Sequence, residues 1–325
     1  MKILVTGGAG YIGGTVALRL LSAGHNVLIY DNFCHSRREL VPAGTRLIEG
    51  DLADRELLTK VFRDEKIDGV MHFAALIEAG ESMKRPEIYF RNNTASTLSL
   101  LEAMLAARVE RLVFSSTAAV YGEPEKTPIE ETAALAPTNP YGESKLVVEQ
   151  MLKWINRIHG LRYASLRYFN VAGAVEGRGE AHEPESHLIP LVLDVALGRR
   201  ESIKIFGNAY PTPDGTCIRD YVHVGDLADA HILAFEALGT HPRLIYNIGN
   251  GHGFTIREVI ESARRVTGHP IPVEEAERRP GDPAVLIASS EKIERELGWK
   301  REFDKLDDIV SSAWKWHQLR YRVTG

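Results

Sequence analysis

Short apolar runs alternate with stretches of helical periodicity through the first half of the chain. Lys2–Thr6 (KILVT) reads as a buried strand, and Ile12–Ala23 follows with helical spacing until Gly24 ends it. Asn26–Tyr30 (NVLIY), Arg46–Glu49, Gly69–Phe73 (GVMHF), Arg111–Ser115 (RLVFS) and Arg162–Phe169 read as further strands. Between them, Glu56–Glu65, a long stretch over Glu87–Ala107, and Tyr141–His159 read as helices. This alternation predicts an α/β fold, a doubly wound parallel sheet of the Rossmann type, in which ligands sit beyond the carboxyl ends of the strands.

After about Asn170 the pattern changes. Gly173–Pro184 (GAVEGRGEAHEP) is loop-like, Leu188–Gly198 is helical, Glu201–Phe206 is a strand, and Gly207–Gly215 is rich in turn residues. Thr255 and Glu258 have capping-box spacing and open a helix to about Thr267. Glu291–Leu297 and Leu306–Arg320 read as helices, and a strand at Leu244–Ile248 is expected to return to the first domain. The expected division is a dinucleotide-binding domain over residues 1–170 and a second, smaller α/β substrate domain over residues 171–325.

Composition narrows the function classes. Of 325 residues, 44% are apolar and 26% charged, ordinary for a globular chain. A net charge of −5 and a pI near 6.2 give no electrostatic footprint for nucleic acid or an anionic membrane. Cys34 and Cys217 make no disulfide framework and no zinc spacing, which fits a reducing compartment. MKILVTGG runs directly into a strand and a glycine turn, so no signal peptide is read, and no apolar run approaches the length of a membrane span. The expectation is a cytoplasmic protein without membrane partners. His159, His182, His223, His231 and His252 lack metal-ligand spacing, and Trp154, Trp299, Trp314 and Trp316 read as packing residues.

Candidate chemistry begins at the first turn. Gly8-x-Gly10-x-x-Gly13 has dinucleotide-fingerprint spacing, and Gly7-x-x-Gly10-x-x-Gly13 has a related one. Glycines there allow a tight turn and close approach to a pyrophosphate held at the helix N-terminus. The motif lies between a strand and a helix, the context that makes it meaningful. Asp31 ends the second strand downstream of Gly13, where a carboxylate accepts from ribose hydroxyls and repels a 2′-phosphate. NAD is therefore favoured over NADP, although Arg37 and Arg38 lie nearby. Asp51-Leu52 ends the third strand and Phe73-Ala74-Ala75 the fourth, positions that border a cofactor or simply close a turn.

Tyr141 is the only one of eleven tyrosines with Lys at the i+4 position, and on a helix it shares a face with Lys145. A phenol titrates near 10, and one ammonium about 4 Å away supplies roughly the 4 kcal/mol needed to bring it towards 7. Ser115-Ser116-Thr117 ends the fifth strand, upstream of Tyr141. A hydroxyl there either caps a turn or shares a substrate proton with the phenol.

Together these features resemble the short-chain dehydrogenase/reductases of the extended branch. Asp31-Asn32, His72-Phe73-Ala74, SSTAAVYG (Ser115–Gly122), NPYGESK (Asn139–Lys145) and RYFN (Arg167–Asn170) narrow the resemblance to the UDP-glucose 4-epimerases. So do IFGN (Ile205–Asn208), YPTPDGTCIRDY (Tyr210–Tyr221), RRPGD (Arg278–Asp282) and Leu297-Gly298-Trp299. The resemblance implies an isomerase that oxidises C4 of a UDP-sugar to a ketone with bound NAD and returns hydride to the other face. It implies Tyr141 as base and acid, Lys145 as its partner on the nicotinamide ribose, and Thr117 on the C4 oxygen. It places NAD on Gly7, Gly10, Tyr11, Ile12, Gly13, Asp31, Asn32, His35, Ser36, Asp51 and Leu52. The remaining implied cofactor contacts are Phe73, Ala74, Ala75, Asn92, Ser115, Tyr141, Lys145 and Tyr168. It places the nucleotide sugar on Thr117, Tyr141, Asn170, His187, Leu188, Phe206, Arg219, Arg279 and Asp282, and it implies a homodimer through a helical face of the NAD domain. Guanidiniums suit a diphosphate bidentately; without the resemblance, Arg219-Asp220 reads as a local ion pair and Arg278-Arg279 as a solvated patch.

Three positions depart from the family pattern. Ile77 stands where other members carry a Lys, His187 where others carry Asn, and Thr117 where Ser is common. Leu286 is intermediate in bulk at a position bearing on N-acetylated sugars, leaving UDP-N-acetylglucosamine, UDP-xylose and UDP-glucuronate as alternative substrates. A 4,6-dehydratase would carry Asp-Glu after the Thr, and this chain has Ala118-Ala119. A non-catalytic NAD-binding sensor has no use for Tyr141, Lys145 and Thr117 together.

Overall fold

The computed structural model describes residues 1–175, 177–279 and 282–322. Two compact units divide the chain: Met1–Glu123 with Glu131–Arg167 and Ala228–Tyr246, and Pro124–Glu130 with Tyr168–Leu227 and Asn247–Gly325.

The first unit runs β1 (Lys2–Thr6), α1 (Tyr11–Ser22), β2 (Asn26–Asp31), β3 (Arg46–Glu49), α2 (Arg55–Glu65), β4 (Gly69–His72), α3 (Ala79–Ser82) and α4 (Pro86–Tyr89). It continues through α5 (Ser96–Ala106), β5 (Arg111–Thr117), α6 (Pro140–His159) and β6 (Arg162–Tyr168). A late strand, Arg243–Ile248, joins the sheet, whose seven strands run in the order Arg243–Ile248, β6, β5, β4, β1, β2, β3. Neighbours from β3 to β5 are parallel, with Leu4 opposite Leu28 and Val70, and Val70 opposite Leu112. Central strands of a parallel sheet are covered on both faces, and β4 is accordingly buried at every position whereas edge strand β3 is not. Leu4, Leu28, Val70, Leu112 and Phe114 share one core with Val61 and Phe62 of α2, Leu101 and Met104 of α5, and Val148 and Leu152 of α6.

The long stretch expected as helix over Glu87–Ala107 is helical from Pro86 to Ala106, with a π-helical turn at Phe90–Ala95 between α4 and α5 that periodicity does not reveal. The wider turn presents Asn93 inward, where its buried amide donates to the Leu76 carbonyl at 2.9 Å and to Ser144 Oγ at 3.1 Å and accepts from Leu76 N–H at 2.8 Å. Helix α6 starts sharply because Asn139 caps it, accepting from Gly142 N–H at 2.9 Å with Pro140 in the first turn, and it stops at left-handed Gly160.

In the second unit β7 (Asn170–Ala172) is followed by a small ribbon, β8 (Ala174–Val175) with β9 (Arg178–Gly179), inside the segment read as loop. Then come α7 (Leu188–Ala196), β10 (Ile203–Phe206) and β11 (Ile218–His223). Helix α8 (Val224–Ala237) carries the chain back to the first unit, where the late strand follows as β12 (Arg243–Ile248). The chain ends with β13 (Gly253–Thr255), α9 (Ile256–Thr267), β14 (Val273–Ala276), β15 (Val285–Leu286), α10 (Glu291–Leu297) and α11 (Leu306–Arg322). The expected capping box forms: Glu258 N–H donates to Thr255 Oγ1 at 3.1 Å, and Thr255 N–H to Glu258 Oε2 at 2.7 Å. Strand β11 lies between β13 and β15 and also pairs with β7, while β10 pairs with β14. Val192 and Leu193 of α7, Val259 and Ile260 of α9, and Ile309 and Val310 of α11 form this unit's core.

Glycine at position 13 is required by packing. A Cβ there would meet the Gly7 carbonyl oxygen at 2.4 Å, and backbone does not yield as a flexible side chain does. Gly13→Ala is expected to destabilise the first unit by about 1–3 kcal/mol, measured as a fall in urea midpoint; an unchanged midpoint would show that the turn relaxes freely.

Candidate active site

The turn between β1 and α1 is held by its own backbone. Gly7 has φ +70°, its N–H donates to the Tyr30 carbonyl at 2.9 Å, and a Cβ on it would lie 2.6 Å from Ala74 N. Gly10 is different: its φ of −71° suits any residue, and a Cβ there would meet one close atom, Gly7 O at 3.2 Å, with open space beyond. Glycine at 10 is thus the one whose missing side chain leaves room for a ligand over the start of α1, which Tyr11 and Ile12 begin.

Asp31, buried at the end of β2, accepts from Ala9 N–H at 3.0 Å through Oδ2, and from Phe33 N–H and Ser36 Oγ at 2.9 Å each through Oδ1. A carboxylate has about four acceptor positions, so capacity for a ribose hydroxyl remains. Arg38 is engaged elsewhere, paired with Glu49 and stacked 5.1 Å from the Phe33 ring centroid, which weakens its claim on a 2′-phosphate. Asn32 donates to Asp51 Oδ2 at 2.7 Å, and His35 is exposed. The Leu52 side chain belongs to the core. Phe73 packs on His231 with ring centroids 4.9 Å apart, Ala74 faces Gly7, and Ala75 follows half-buried. Asn92, in the π turn, donates to its neighbour Asn93 at 3.0 Å, and Tyr168 closes β6. The open glycine turn, the helix start and the buried strand-end carboxylate fit a dinucleotide with a free 2′-hydroxyl.

The reacting groups meet where β5 ends and α6 begins. Lys145, 2% exposed, donates from Nζ to the Ser115 carbonyl at 2.8 Å and lies 5.0 Å from the Phe114 ring centroid. Thr117 does both things its position allowed: its Oγ1 accepts from Ala119 N–H at 3.1 Å, and its hydroxyl hydrogen-bonds the Tyr141 phenol. Burial pushes the Lys145 ammonium down to about 7. Burial also pushes the Tyr141 phenol up; the Thr117 hydrogen bond opposes this, and the Glu78 carboxylate adds to it. That direction corrects the expectation from spacing alone. Lysine directs its hydrogen bond at β5, and desolvation of the phenol, which spacing does not reveal, is the larger effect.

Several supporting residues were not legible beforehand. Ser144 Oγ donates to the Tyr141 carbonyl at 2.7 Å and accepts from Asn93, so the π turn grips the first turn of α6. One turn beyond Lys145, Glu149 continues the Tyr141–Lys145 face and binds Arg167 through bonds of 2.9 and 2.5 Å, while Ser116 Oγ donates to it at 2.6 Å. Arg167 also donates to the Tyr121 phenol at 2.9 Å. An i+8 carboxylate beside Tyr-x-x-x-Lys is the signal that could have found this network. His72 is buried, and its two ring nitrogens engage Thr6 Oγ1 at 2.6 Å and Thr97 Oγ1 at 2.8 Å. Burial, with the charge of Lys145, holds its pKa down to about 3, so the ring is neutral. Ile77, between Leu76 and Glu78, is half-buried.

In the second unit, β10, β11 and the segment before β15 bring together polar side chains far apart in sequence. Arg219 pairs with Asp282 and donates to the Ile218 carbonyl at 2.8 Å. Arg279 lies 3.9 Å over the Phe206 ring, and Arg278 lies 4.4 Å over Tyr210 and donates to the Asp282 carbonyl at 2.9 Å. Arg219 therefore pairs with Asp282 and not with Asp220, while Arg278 and Arg279 are exposed with their guanidiniums over aromatic rings; Pro280 and Gly281 of that motif lie outside the described residues. Asn170 opens β7 opposite Tyr221, His187 and Leu188 start α7, and Leu286 pairs in register with Arg219. Among the described residues no cluster of three or more His, Cys, Asp or Glu is disposed to hold a metal ion, and no helix is long and apolar enough to cross a membrane.

A glycine turn shaped for a dinucleotide, with Thr, Tyr and Lys gathered at the carboxyl edge of a doubly wound sheet, defines the short-chain dehydrogenase/reductase class. Residues 3–249 match the model of the NAD dependent epimerase/dehydratase family. A UDP-glucose 4-epimerase of Streptomyces lividans is 55% identical over 317 residues, 97% of this chain and 96% of the relative. A solved UDP-glucose 4-epimerase superposes with a TM-score of 0.97 at 47% identity, over 99% of this chain and 98% of that one. The enzyme of Stenotrophomonas maltophila, solved with bound NAD and formylated UDP-arabinopyranose, superposes with a TM-score of 0.96 at 40% identity over 99% of both chains. The chain belongs to the NAD dependent epimerase/dehydratase family and, within it, to the UDP-glucose 4-epimerases.

Asp220, next to Arg219, has a supporting role of its own. Its Oδ1 accepts from Asn250 N–H at 2.5 Å, and its Oδ2 from Gly251 and Ala288 N–H at 3.0 Å each. Burial pushes its pKa up to about 6 against the pull of those bonds. A folded value above the unfolded one means that the folded state holds the proton more tightly. This group's contribution is therefore full below the unfolded pKa of about 3.9 and is lost as pH rises through about 6. Asp220→Asn turns an amide N–H towards backbone donors and is expected to cost about 1–3 kcal/mol, seen as a lower melting temperature. It should also flatten the pH dependence between 4 and 6. Wild-type stability in the variant would remove the carboxylate from this role.

Proposed function

We propose that the enzyme interconverts UDP-glucose and UDP-galactose through a transient 4-keto sugar. The observation that carries this reading is the Thr117–Tyr141 hydrogen bond beside a lysine anchored to Ser115, in a chain sharing 55% identity with a UDP-glucose 4-epimerase. Bound oxidised NAD supplies a hydride acceptor at C4 and a positive charge that favours the phenolate. Tyr141 takes the O4 proton as C4 is oxidised and gives it back when the ketone is reduced from its other face. Thr117 holds the C4 oxygen in line with the phenol. Lys145 binds the nicotinamide ribose, and its buried ammonium is the protein's own cation beside the reacting groups. The oxidised and reduced states return to their starting point, so no reductant is consumed overall.

Gly7, Gly10, Tyr11, Ile12 and Gly13 hold the pyrophosphate, and Asp31 with Asn32, His35 and Ser36 the adenosine ribose. Asp51 and Leu52 border the adenine, while Phe73, Ala74, Ala75, Asn92, Ser115 and Tyr168 complete the cofactor contacts. Arg219 and Arg279 bind the diphosphate, with Asn170, His187, Leu188, Phe206 and Asp282 completing the UDP-sugar contacts. Contact of the Arg279 guanidinium with the Phe206 ring supports this, since an aromatic face holds the group while leaving its N–H fork for bidentate pairing. The expected boundary at residue 170 gives way to the division of the fold: the first unit, which takes back Ala228–Tyr246 as well as the returning strand, carries the cofactor role, and the second carries the nucleotide-sugar role. Unpaired Cys34 and Cys217 support a cytoplasmic location.

A homodimer is supported by an apolar surface on neighbouring helices: Trp154 and Ile158 of α6 are 59% and 66% exposed, and Leu98 of α5 is 41% exposed. Such a row one helical turn apart is costly to leave in water.

Tyr141→Phe should lower turnover of UDP-galactose by about 10²–10⁴-fold while NAD stays bound, followed by formation of UDP-glucose; undiminished turnover would sink the mechanism. A competition assay among UDP-glucose, UDP-N-acetylglucosamine, UDP-xylose and UDP-glucuronate tests the substrate assignment, with the first expected to be preferred. Trp154→Glu with Ile158→Glu should convert a dimer to a monomer in sedimentation; a monomeric wild type would refute the assembly.

A further inference from the structure

A hydroxyl that must meet a phenol at hydrogen-bond distance needs a backbone that does not drift, and Thr117 is the last residue of β5. Side chains grip the chain on both sides of it. Before it, Ser116 Oγ donates to Glu149 Oε1 at 2.6 Å. After it, the Tyr121 phenol oxygen accepts from Arg167 Nη1 at 2.9 Å, with the guanidinium 5.2 Å from the Tyr121 ring centroid. The two grips are joined, because Arg167 donates to Glu149 from Nε to Oε1 at 2.9 Å and from Nη2 to Oε2 at 2.5 Å. Ser116, Tyr121, Glu149 and Arg167 are all buried.

A carboxylate only accepts, so the Ser116 hydroxyl points its proton at Glu149. Glu149 stands on α6, one turn beyond Lys145 and two beyond Tyr141. The helix that carries the phenol therefore also carries the anchor for the residue before Thr117. Burial works against the Arg167 charge, but the hydrogen bond and charge of Glu149 outweigh it and hold the guanidinium above its ordinary value. The carboxylate thus keeps a charged partner while it holds Ser116.

We propose that Glu149, locked by Arg167, is a positioning residue that holds Thr117 at the Tyr141 phenol through its grip on Ser116 and, by way of Arg167, on Tyr121. This rests on the reading that Tyr141 and Thr117 carry the C4 chemistry. Cutting either grip should act on the Thr117–Tyr141 contact and lose its effect once the Thr117 hydroxyl is gone. A network that only stabilised the fold would lower the melting temperature without that dependence.

Removing Glu149 or Arg167 would leave the other buried without its counter-charge and destabilise the fold, so the test cuts the contacts at their far ends. It uses Ser116→Ala and Tyr121→Phe in the full-length NAD-loaded enzyme. Each is expected to lower kcat for UDP-galactose about tenfold while KM and UDP affinity stay at wild-type values. In a Thr117→Ala background each should change kcat by less than about twofold. The NMR signal of isotopically labelled Tyr141 Cζ, assigned by its loss in Tyr141→Phe, reads the contact without turnover. In both variants it should move towards its position in Thr117→Ala. The proposal is overturned by a wild-type kcat in either variant, by an equal fold-loss in the Thr117→Ala background, by a rise in KM in place of a fall in kcat, or by an unmoved Tyr141 signal. A wild type that leaves UDP-galactose untouched would refute the substrate reading, while the Tyr141 signal would still decide the role of Glu149.

Discussion

A buried ammonium must find acceptors or lose its charge, and the first unit is arranged around that requirement. Lys145 answers it by reaching from α6 to the Ser115 carbonyl near the end of β5, which draws the helix start onto the strand end. Tyr141 rides on the turn before it, and Thr117 stands on the strand it grips, so their meeting follows from where the lysine is satisfied. The same burial that holds the pair in place also depresses the lysine and raises the phenol. A site of this kind is poised by desolvation and completed by the charges it binds.

Rigidity around the pair comes from polar contacts that seal its surroundings. Asn93 joins the strand-end loop at Leu76 to Ser144, and Glu149 with Arg167 closes the next turn of α6. Breaking one partner of that buried pair would strand the other without compensation, which costs more than the pair contributes when intact. In the second unit the corresponding device is aromatic: Phe206 and Tyr210 each lie under a guanidinium, while Asp282 pairs with a third.

Much of this was legible in the chain. Strands buried on both faces announce themselves as continuous apolar runs, and β1, β2, β4 and β5 lie close to where those runs fall. The glycine turn was readable because its geometry is local. What was hidden depends on distance in sequence or on burial. Helical periodicity does not register the extra residue of a π turn, so Asn93 looked like any helical polar residue. Arg219 meets Asp282 across 63 positions, and adjacency instead suggested Asp220, which turned out to hold three backbone N–H groups. The direction of the Tyr141 shift was misjudged because i,i+4 spacing reports a neighbour and not the solvent lost.

The strand Arg243–Ile248 pairs with β6 at the end of the sheet, yet the whole stretch from β7 to α8 is made between the two. During synthesis β6 is therefore a bare edge from the time it emerges until that strand follows, and unpaired edges are templates for wrong partners. At ordinary rates of translation the gap lasts on the order of ten seconds. The nascent chain must pass that interval with its dinucleotide fold incomplete. The ribosome-bound stage, rather than the finished enzyme, is then the point at which this architecture is most exposed to aggregation and to chaperone capture.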